Sequence, residues 1–321
     1  MLPKHIKTTL HRGSLFRQTP RDNPGPEAHL AASIPQTDYE VIVIGGGPSG
    51  LSALSSLSRV RRRTILFDSG EYRNAPTREM HDVIGNDGTP PAEFRGLARE
   101  QIRKYDTATI VDTTITTVTP ASDPATNTSY FRAQDVDGRA YTARKVVLGT
   151  GLIDVLPSVP GLEEAWGQGA YWCPWCDGVL ETHWSRSSTA PPPRPPPPPW
   201  PPSTYPAWRA PLADGDSRID ADGKIVTAAS AGMRTSRPGV FAVGDASNDG
   251  STHVPHAMFS GKRAGAFLHV EMAREESAAA VGKREAAGLS RREMERETAR
   301  RVGDEMKRLW ERVLESREDA S

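Results

Sequence analysis

The sequence predicts an α/β fold centred on a Rossmann-like dinucleotide-binding unit that is split into two pieces along the chain. Three observations carry this expectation. Tyr39 to Ile44 (YEVIVI) is a short, uninterrupted, β-branched run of the kind that forms a buried strand. It leads at once into a glycine-rich turn, Gly45 to Gly50, then into helix-compatible sequence and a second strand, which is a β-α-β opening. Far downstream, Val240 to Val243 is another short strand, ending on Gly244 and Asp245.

The elements follow in order. Residues 1–38 read as a flexible basic tail, with Lys, Arg and His but no acid before Asp22. That bias also marks mitochondrial transit peptides, although Pro3 works against a regular helix. The segment has no apolar core, so a secretory signal is not expected. After the first strand, Leu51 to Val60 has helical composition and Thr64 to Phe67 reads as the second strand. Pro91 to Tyr105 sets Phe94, Leu97, Ile102 and Tyr105 close to a 3.6-residue period, which predicts a helix. Three strand candidates come next: Thr109 to Val118, Ser129 to Gln134, and Arg139 to Leu148. The last two flank Asp135-Val136-Asp137-Gly138, a turn with glycine where positive φ is wanted. They predict a β-meander that runs into Gly149-Thr150-Gly151 and completes a first part at 39–160. Residues 161–184 form a short redox lobe that holds both cysteines of the chain. Residues 185–214 are so rich in proline that neither helix nor central strand can form, which predicts an extended linker. The second part, 215–275, carries GKIVT, GVFAVGDAS and a helix over Met258 to Glu275. Residues 276–321 are charged and helix-prone. There Val302, Met306, Leu309, Trp310, Val313 and Leu314 share a helical face that either packs on its own domain or meets a partner, a second copy included.

Composition narrows the function classes. Forty basic and forty acidic residues cancel, so the chain has no electrostatic footprint for nucleic acid or an acidic membrane surface. No apolar run approaches the roughly 20 residues of a membrane span. Two cysteines do not make a disulfide-stapled secreted scaffold. A cytoplasmic location is expected, with the mitochondrion as the alternative.

Three motifs carry chemistry. Val41 to Gly50 (VIVIGGGPSG) contains GxGxxG as Gly45, Gly47 and Gly50. The first glycine makes the turn, the second lets backbone approach a pyrophosphate, and the third lets helix pack on strand. Asp68 ends the next strand, 18 residues beyond Gly50, where an acid can bind an adenosine ribose hydroxyl. At Gly244 and Asp245, a strand-end acid can hold a polyol chain, and the pairing with the first motif points to a flavin rather than a nicotinamide. The third motif is YWCPWCD, Tyr171 to Asp177. Cys173 and Cys176 can close a small disulfide ring, and Asp177 can shuttle a proton. A zinc site needs four ligands, and His183, His253 and His256 lie at no recognisable ligand spacing, so no metal is expected.

Together these residues resemble the low-molecular-weight thioredoxin reductase family of flavoproteins, a branch of the FAD-dependent pyridine nucleotide-disulfide oxidoreductases. The closer likeness is to the fungal branch that includes dithiol oxidases. The matching pieces are VIVIGGGPSGLSA, FDSGEYRNAP with HDVIGNDG, RKVVLGTG, CPWCDG, and TSRPGVFAVGD continuing to VPHAMFSGKRAGAF. The resemblance implies that Gly45, Gly47, Pro48, Ser49 and Gly50 hold the FAD pyrophosphate and Asp68 the ribose. It sets Ser69, Arg73, Asn74 and His81 along the cofactor, with Thr150 and Gly151 touching it. Gly244 and Asp245 then meet the ribityl chain, and His256 and Ala257 lie near the isoalloxazine ring. Cys176 faces the flavin, Cys173 exchanges with substrate and Asp177 is the acid/base.

One departure from the family shapes the functional expectation. Relatives insert a nicotinamide-nucleotide domain of more than about 100 residues at the CxxC. Only about 40 residues, mostly proline-rich, separate Cys176 from the returning FAD segment here, and no second Gly-rich turn occurs among them. The expectation is therefore FAD-dependent thiol–disulfide oxidoreduction with oxygen as electron acceptor and a small-molecule dithiol or thioredoxin-like protein as substrate. The alternatives are a degenerate non-catalytic flavoprotein, or a flavin-dependent oxidase in which the CxxC is incidental.

Overall fold

The computed structural model describes residues 34–167 apart from 125, then 170, 219–220, 224–250 and 252–286, and single helical positions at 293, 296, 300, 303 and 308. The chain divides into two units, and the architecture below is that of Ala32–Arg284. Cys173, Cys176 and Asp177, the proline-rich segment 185–214 and the apolar face from Val302 to Leu314 lie outside the described residues.

The chain order is β1 (Tyr39–Ile44), α1 (Pro48–Arg59), β2 (Thr64–Asp68), α2 (Pro91–Ile102), β3 (Ala108–Asp112), β4 (Ile115–Asp123), β5 (Thr128–Asp135), β6 (Ala140–Leu148), α3 (Leu162–Ala165), β7 (Val240–Ala242) and α4 (Val254–Ala286). Strands β3-β2-β1-β6-β5-β4 form one sheet, with β7 also paired to β6. The pairs β1–β2, β1–β6, β2–β3 and β6–β7 are parallel, whereas β5 runs antiparallel to both β4 and β6. Strand β6 therefore shares its outer edge: Ala140–Ala143 pair with β5, and Val146–Leu148 pair with β7.

The alternation of side chains sorts the core into two layers. On one face Val41, Val43, Leu66, Val147 and Phe241 meet Leu54 and Leu57 of α1 and Leu268 and Met272 of α4. On the other, Ile42, Ile44, Ile65, Phe67, Val146 and Leu148 meet Val118, Phe131 and Ala133 of the meander. β1 and β2 read as unbroken apolar runs because both of their faces are covered.

Two expectations change. The single candidate Thr109–Val118 is two strands: β3 closes the parallel edge and β4 begins the meander. The run holds no glycine or proline, so nothing local marked the break at Thr113-Thr114. Ile225 makes isolated bridges to Ile219 and Ser247. The last helix starts at Val254 and continues past Glu275 to Ala286.

Two devices seat α4. A Cβ on Gly261 would stand 2.1 Å from the Ser49 carbonyl oxygen, and one on Gly265 would stand 2.7 Å from Ser56 Cβ. Only glycine lets the two helices approach this closely. Further along, the buried cations Arg62, Arg144 and Lys145 hold acids of α4. Arg62 Nη1 donates to Glu276 Oε1 at 2.5 Å and to Glu40 Oε1 at 2.7 Å. Arg144 donates to Glu276 Oε1 at 2.7 Å and to Glu275 Oε2 at 2.9 Å, and Lys145 to Glu271 Oε1 at 2.7 Å. These bonds explain why the helix does not stop at Glu275. No helix among the described residues is long and apolar enough to cross a membrane.

Burial alone would raise the Glu276 carboxyl, but hydrogen bonds from Arg62 and Arg144 outweigh it and hold the group below its ordinary value of 4.5. Its stabilising contribution is therefore complete above that value and is lost as pH falls through the depressed one. Glu276→Gln is expected to lower the thermal midpoint at neutral pH. The gap from the unmodified protein should narrow at an acid pH below that depressed value, where the Glu276 carboxyl is protonated. Thermal denaturation of both proteins at the two pH values measures this.

Candidate functional site

A cavity of about 810 Å³ opens at the carboxyl ends of β1 and β2, where Rossmann-like sheets bind their ligands. Its wall gathers residues from distant parts of the chain. Gly45, Gly47, Pro48 and Ser49 come from the first turn, and Ser69, Arg73, Asn74 and His81 from the segment after β2. Thr150 and Gly151 follow β6, Asp245 follows β7, and Ala257 lies in the first turn of α4. The structure thus brings together most of the expected cofactor residues.

The turn is tight by construction. Gly45 has φ +108°, and a Cβ there would lie 2.2 Å from the Gly149 carbonyl oxygen. A Cβ on Gly46 would lie 1.9 Å from Asp68 Oδ2. Gly47 is different, since a Cβ there would meet nothing within 4 Å and would project into open space. Gly50 and Gly244 are buried behind the wall. Gly244 has φ +63°, and a Cβ on it would lie 2.8 Å from Ser49 Oγ, so the two halves of the motif touch.

Asp68 is also behind the wall, 3% exposed. It accepts from the Gly70 amide at 3.0 Å and from the Tyr72 hydroxyl at 2.6 Å, and Arg99 stands 3.6 Å away. Tyr72 lines the cavity and so comes between Asp68 and the open space. Burial, then the bond to Asp68, pushes its phenol up to about 12. Arg95 stacks over the Tyr72 ring at 3.6 Å. His256 is not among the lining residues, and its Nε2 stands 2.6 Å from Asp249 Oδ2. Tyr72, Thr77, Asp154 and Asp249 were not singled out from sequence. Only Asp154 carried a signal, as a lone acid in the apolar run Leu152 to Leu156.

Three features test whether a flavin dinucleotide fits. Gly47 leaves room for a ligand against its backbone. α1 has Pro48 in its first turn and no side-chain cap, so amides of that turn remain for an anion. The Thr77 and Thr150 hydroxyl oxygens are buried with no partner, on residues that line the cavity. Buried hydroxyls are normally satisfied, so these two call for polar groups of a ligand. The residues present fit FAD.

The contrast between neighbouring glycines yields a test. Gly47→Val is expected to keep the thermal midpoint of the cofactor-free protein and to lose FAD uptake. Gly46→Ala is expected to destabilise the cofactor-free protein by about 1–3 kcal/mol through overpacking against Asp68. Thermal melts and FAD titration of both variants check the two halves.

Comparison with known proteins agrees with this geometry. Residues 39–182 match the pyridine nucleotide-disulphide oxidoreductase family. A protein of Arthroderma benhamiae, named "Probable thioredoxin reductase", is 36% identical over 371 aligned positions, covering 87% of this chain and 92% of that protein. Thioredoxin reductase tcpT of Claviceps purpurea is 40% identical over 140 residues, covering 43% of this chain and 42% of that one. Among solved structures, an oxidoreductase from Agrobacterium tumefaciens superposes with a TM-score of 0.56 at 25% identity, over 73% of this chain and 98% of that one. The chain is an oxidoreductase of the FAD-binding, thioredoxin reductase-like family of pyridine nucleotide-disulphide oxidoreductases.

Proposed function

We propose that this enzyme oxidises a dithiol substrate, a small molecule or a thioredoxin-like protein, with Cys173 and Cys176 as its redox pair. One observation carries the reading: the arm that leads to the CxxC starts from the cavity wall. Trp166 lines the cavity and bridges to Ala170. Gly167 packs so closely on Pro76 that a Cβ there would lie 2.6 Å from Pro76 Cβ. Extended chain spans at most about 3.6 Å per residue, so Cys173 is tethered within about 11 Å of Ala170 and Cys176 within about 22 Å.

FAD supplies two-electron exchange between a dithiol and an external acceptor. The residues of the chain do the rest. A substrate thiolate attacks Cys173 Sγ, the Cys173–Cys176 bond breaks, and Cys176 leaves as a thiolate. The second substrate thiolate then attacks the substrate sulfur joined to Cys173. The substrate departs as a disulfide and Cys173 is freed. Asp177 takes up and returns the proton of the pair. Restoring the disulfide releases two electrons and two protons, with molecular oxygen as the final acceptor, reduced to hydrogen peroxide.

The choice of acceptor is supported by the short segment after Cys176, which holds about 40 residues and no second Gly-rich turn before Asp216. The alignment with the Arthroderma protein spans more positions than this chain has residues, so that relative carries stretches this chain lacks. NADPH is accordingly expected to bleach the flavin slowly or not at all under anaerobic mixing. Rapid bleaching would overturn the oxygen reading.

The cysteine roles are tested by anaerobic titration with dithiothreitol, followed by absorbance. Cys173→Ser should keep a long-wavelength band from a thiolate beside the flavin, and Cys176→Ser should lose it. Neither variant should oxidise the dithiol, because ring closure needs two sulfurs. Identical spectra would overturn the assignment, and turnover that survives replacement of both cysteines would overturn the function.

A further inference from the structure

Asp154 and Asp245 both line the cavity, although one follows β6 and the other follows β7. Both side chains are largely buried, at 20% and 15% exposure. Arg73, from the segment after β2, joins them. Its Nε donates to Asp154 Oδ2 at 2.9 Å and its Nη2 to Asp154 Oδ1 at 3.0 Å, while Nη1 donates to Asp245 Oδ2 at 2.9 Å.

The three bonds are unequal in what they do. Asp154 takes one edge of the guanidinium with both oxygens, and such a fork fixes the plane of the group. That plane decides where Nη1 points, and so the rotation of the Asp245 carboxylate. Asp245 gives up Oδ2 to this bond, and its Oδ1 keeps no protein partner among the described residues. Burial alone would make the guanidinium easier to discharge, but Asp154 and Asp245 outweigh it and keep the group charged.

The charge balance gives this arrangement a function. FAD carries negative charge on its pyrophosphate, and two bare carboxylates in the same wall would repel it. We infer that Arg73 and Asp154 are a positioning couple for the cofactor site: Arg73 offsets one of the two carboxylate charges it bridges and orients Asp245, and Asp154 orients Arg73. Asp245 Oδ1 is thereby presented to a ligand hydroxyl. Neither Arg73 nor Asp154 takes part in the redox step. The inference rests on the FAD reading of the cavity and adds Asp154 to it.

The test measures FAD affinity of the full chain by quenching of flavin fluorescence, with circular dichroism and a thermal melt as fold controls. Arg73→Gln is expected to weaken binding about a hundredfold, because it leaves uncompensated buried charge. Arg73→Gln combined with Asp154→Asn is expected to regain about tenfold over Arg73→Gln alone, since one repelling carboxylate is gone. A mere structural brace would make the double variant no better than the single. Arg73→Lys, which keeps the charge but loses the fork, is expected to bind with intermediate affinity. Wild-type affinity in Arg73→Gln, or a double variant no tighter than it, overturns the inference while the cofactor reading stands. A wild type that takes up no FAD overturns both. Should Arg73→Gln fail to fold, Arg73→Lys decides: weakened binding supports the couple and unchanged binding overturns it.

Discussion

The first turn of α1 is the point on which the structure depends, because glycines of other chain segments approach it closely. A Cβ on Gly50 would sit 1.9 Å from the Gly45 carbonyl oxygen, and one on Gly261 would sit 2.1 Å from that of Ser49. Gly149 and Gly244 close on the same turn from the ends of β6 and β7. Close packing is what converts a strand–turn–helix motif into a cavity. It fixes the amides of the α1 turn at one end and sets Asp245 and the first turn of α4 beside them. A methyl group on Gly50 or Gly261 would force backbone apart, and interiors packed to crystal density absorb such shifts poorly.

Charge plays two separate roles around this centre. On the side of α4, Arg62, Arg144 and Lys145 are buried and paired with Glu271, Glu275 and Glu276. Removing one partner from such a set is costly because the remaining charge cannot reach water. Inside the cavity, Arg73 bridges two acids from different halves of the fold. There the same physics prepares a wall for an anionic ligand. Behind the wall, Asp68 accepts from the Tyr72 hydroxyl, and Arg95 stacks on the Tyr72 ring.

The local sequence was strongest where a residue's role is set by its immediate neighbours. YEVIVI and the glycine turn announced β1, the turn and α1, because a doubly buried strand must be apolar throughout and a tight turn must lack side chains. Asp135 to Gly138 announced the β5–β6 hairpin through turn chemistry alone. The boundary between β3 and β4 was not legible, since β-branched residues continue across it and the break is set by which neighbour each half pairs with. The end of α4 was hidden in the same way: the sequence beyond Glu275 is merely charged, and only the cations of β6 and of the segment before β2 make it part of the fold.

The candidate site divides along that line. Sequence alone determined the class of the fold, the glycine turn after β1, the strand-end acid at Asp245 and the presence of a CxxC, because each depends on residue types at short spacing. Tertiary structure decided which groups face the ligand space and which stand behind it. Asp68 and His256 are not among the lining residues and pair with Tyr72 and Asp249, while Asp154 and Thr77 are brought to the wall from segments with no motif of their own. The physical reason is that a side chain's partner is chosen by proximity in space. For Arg73, that proximity joins residues 81 and 172 positions away, which no pattern of local spacing records.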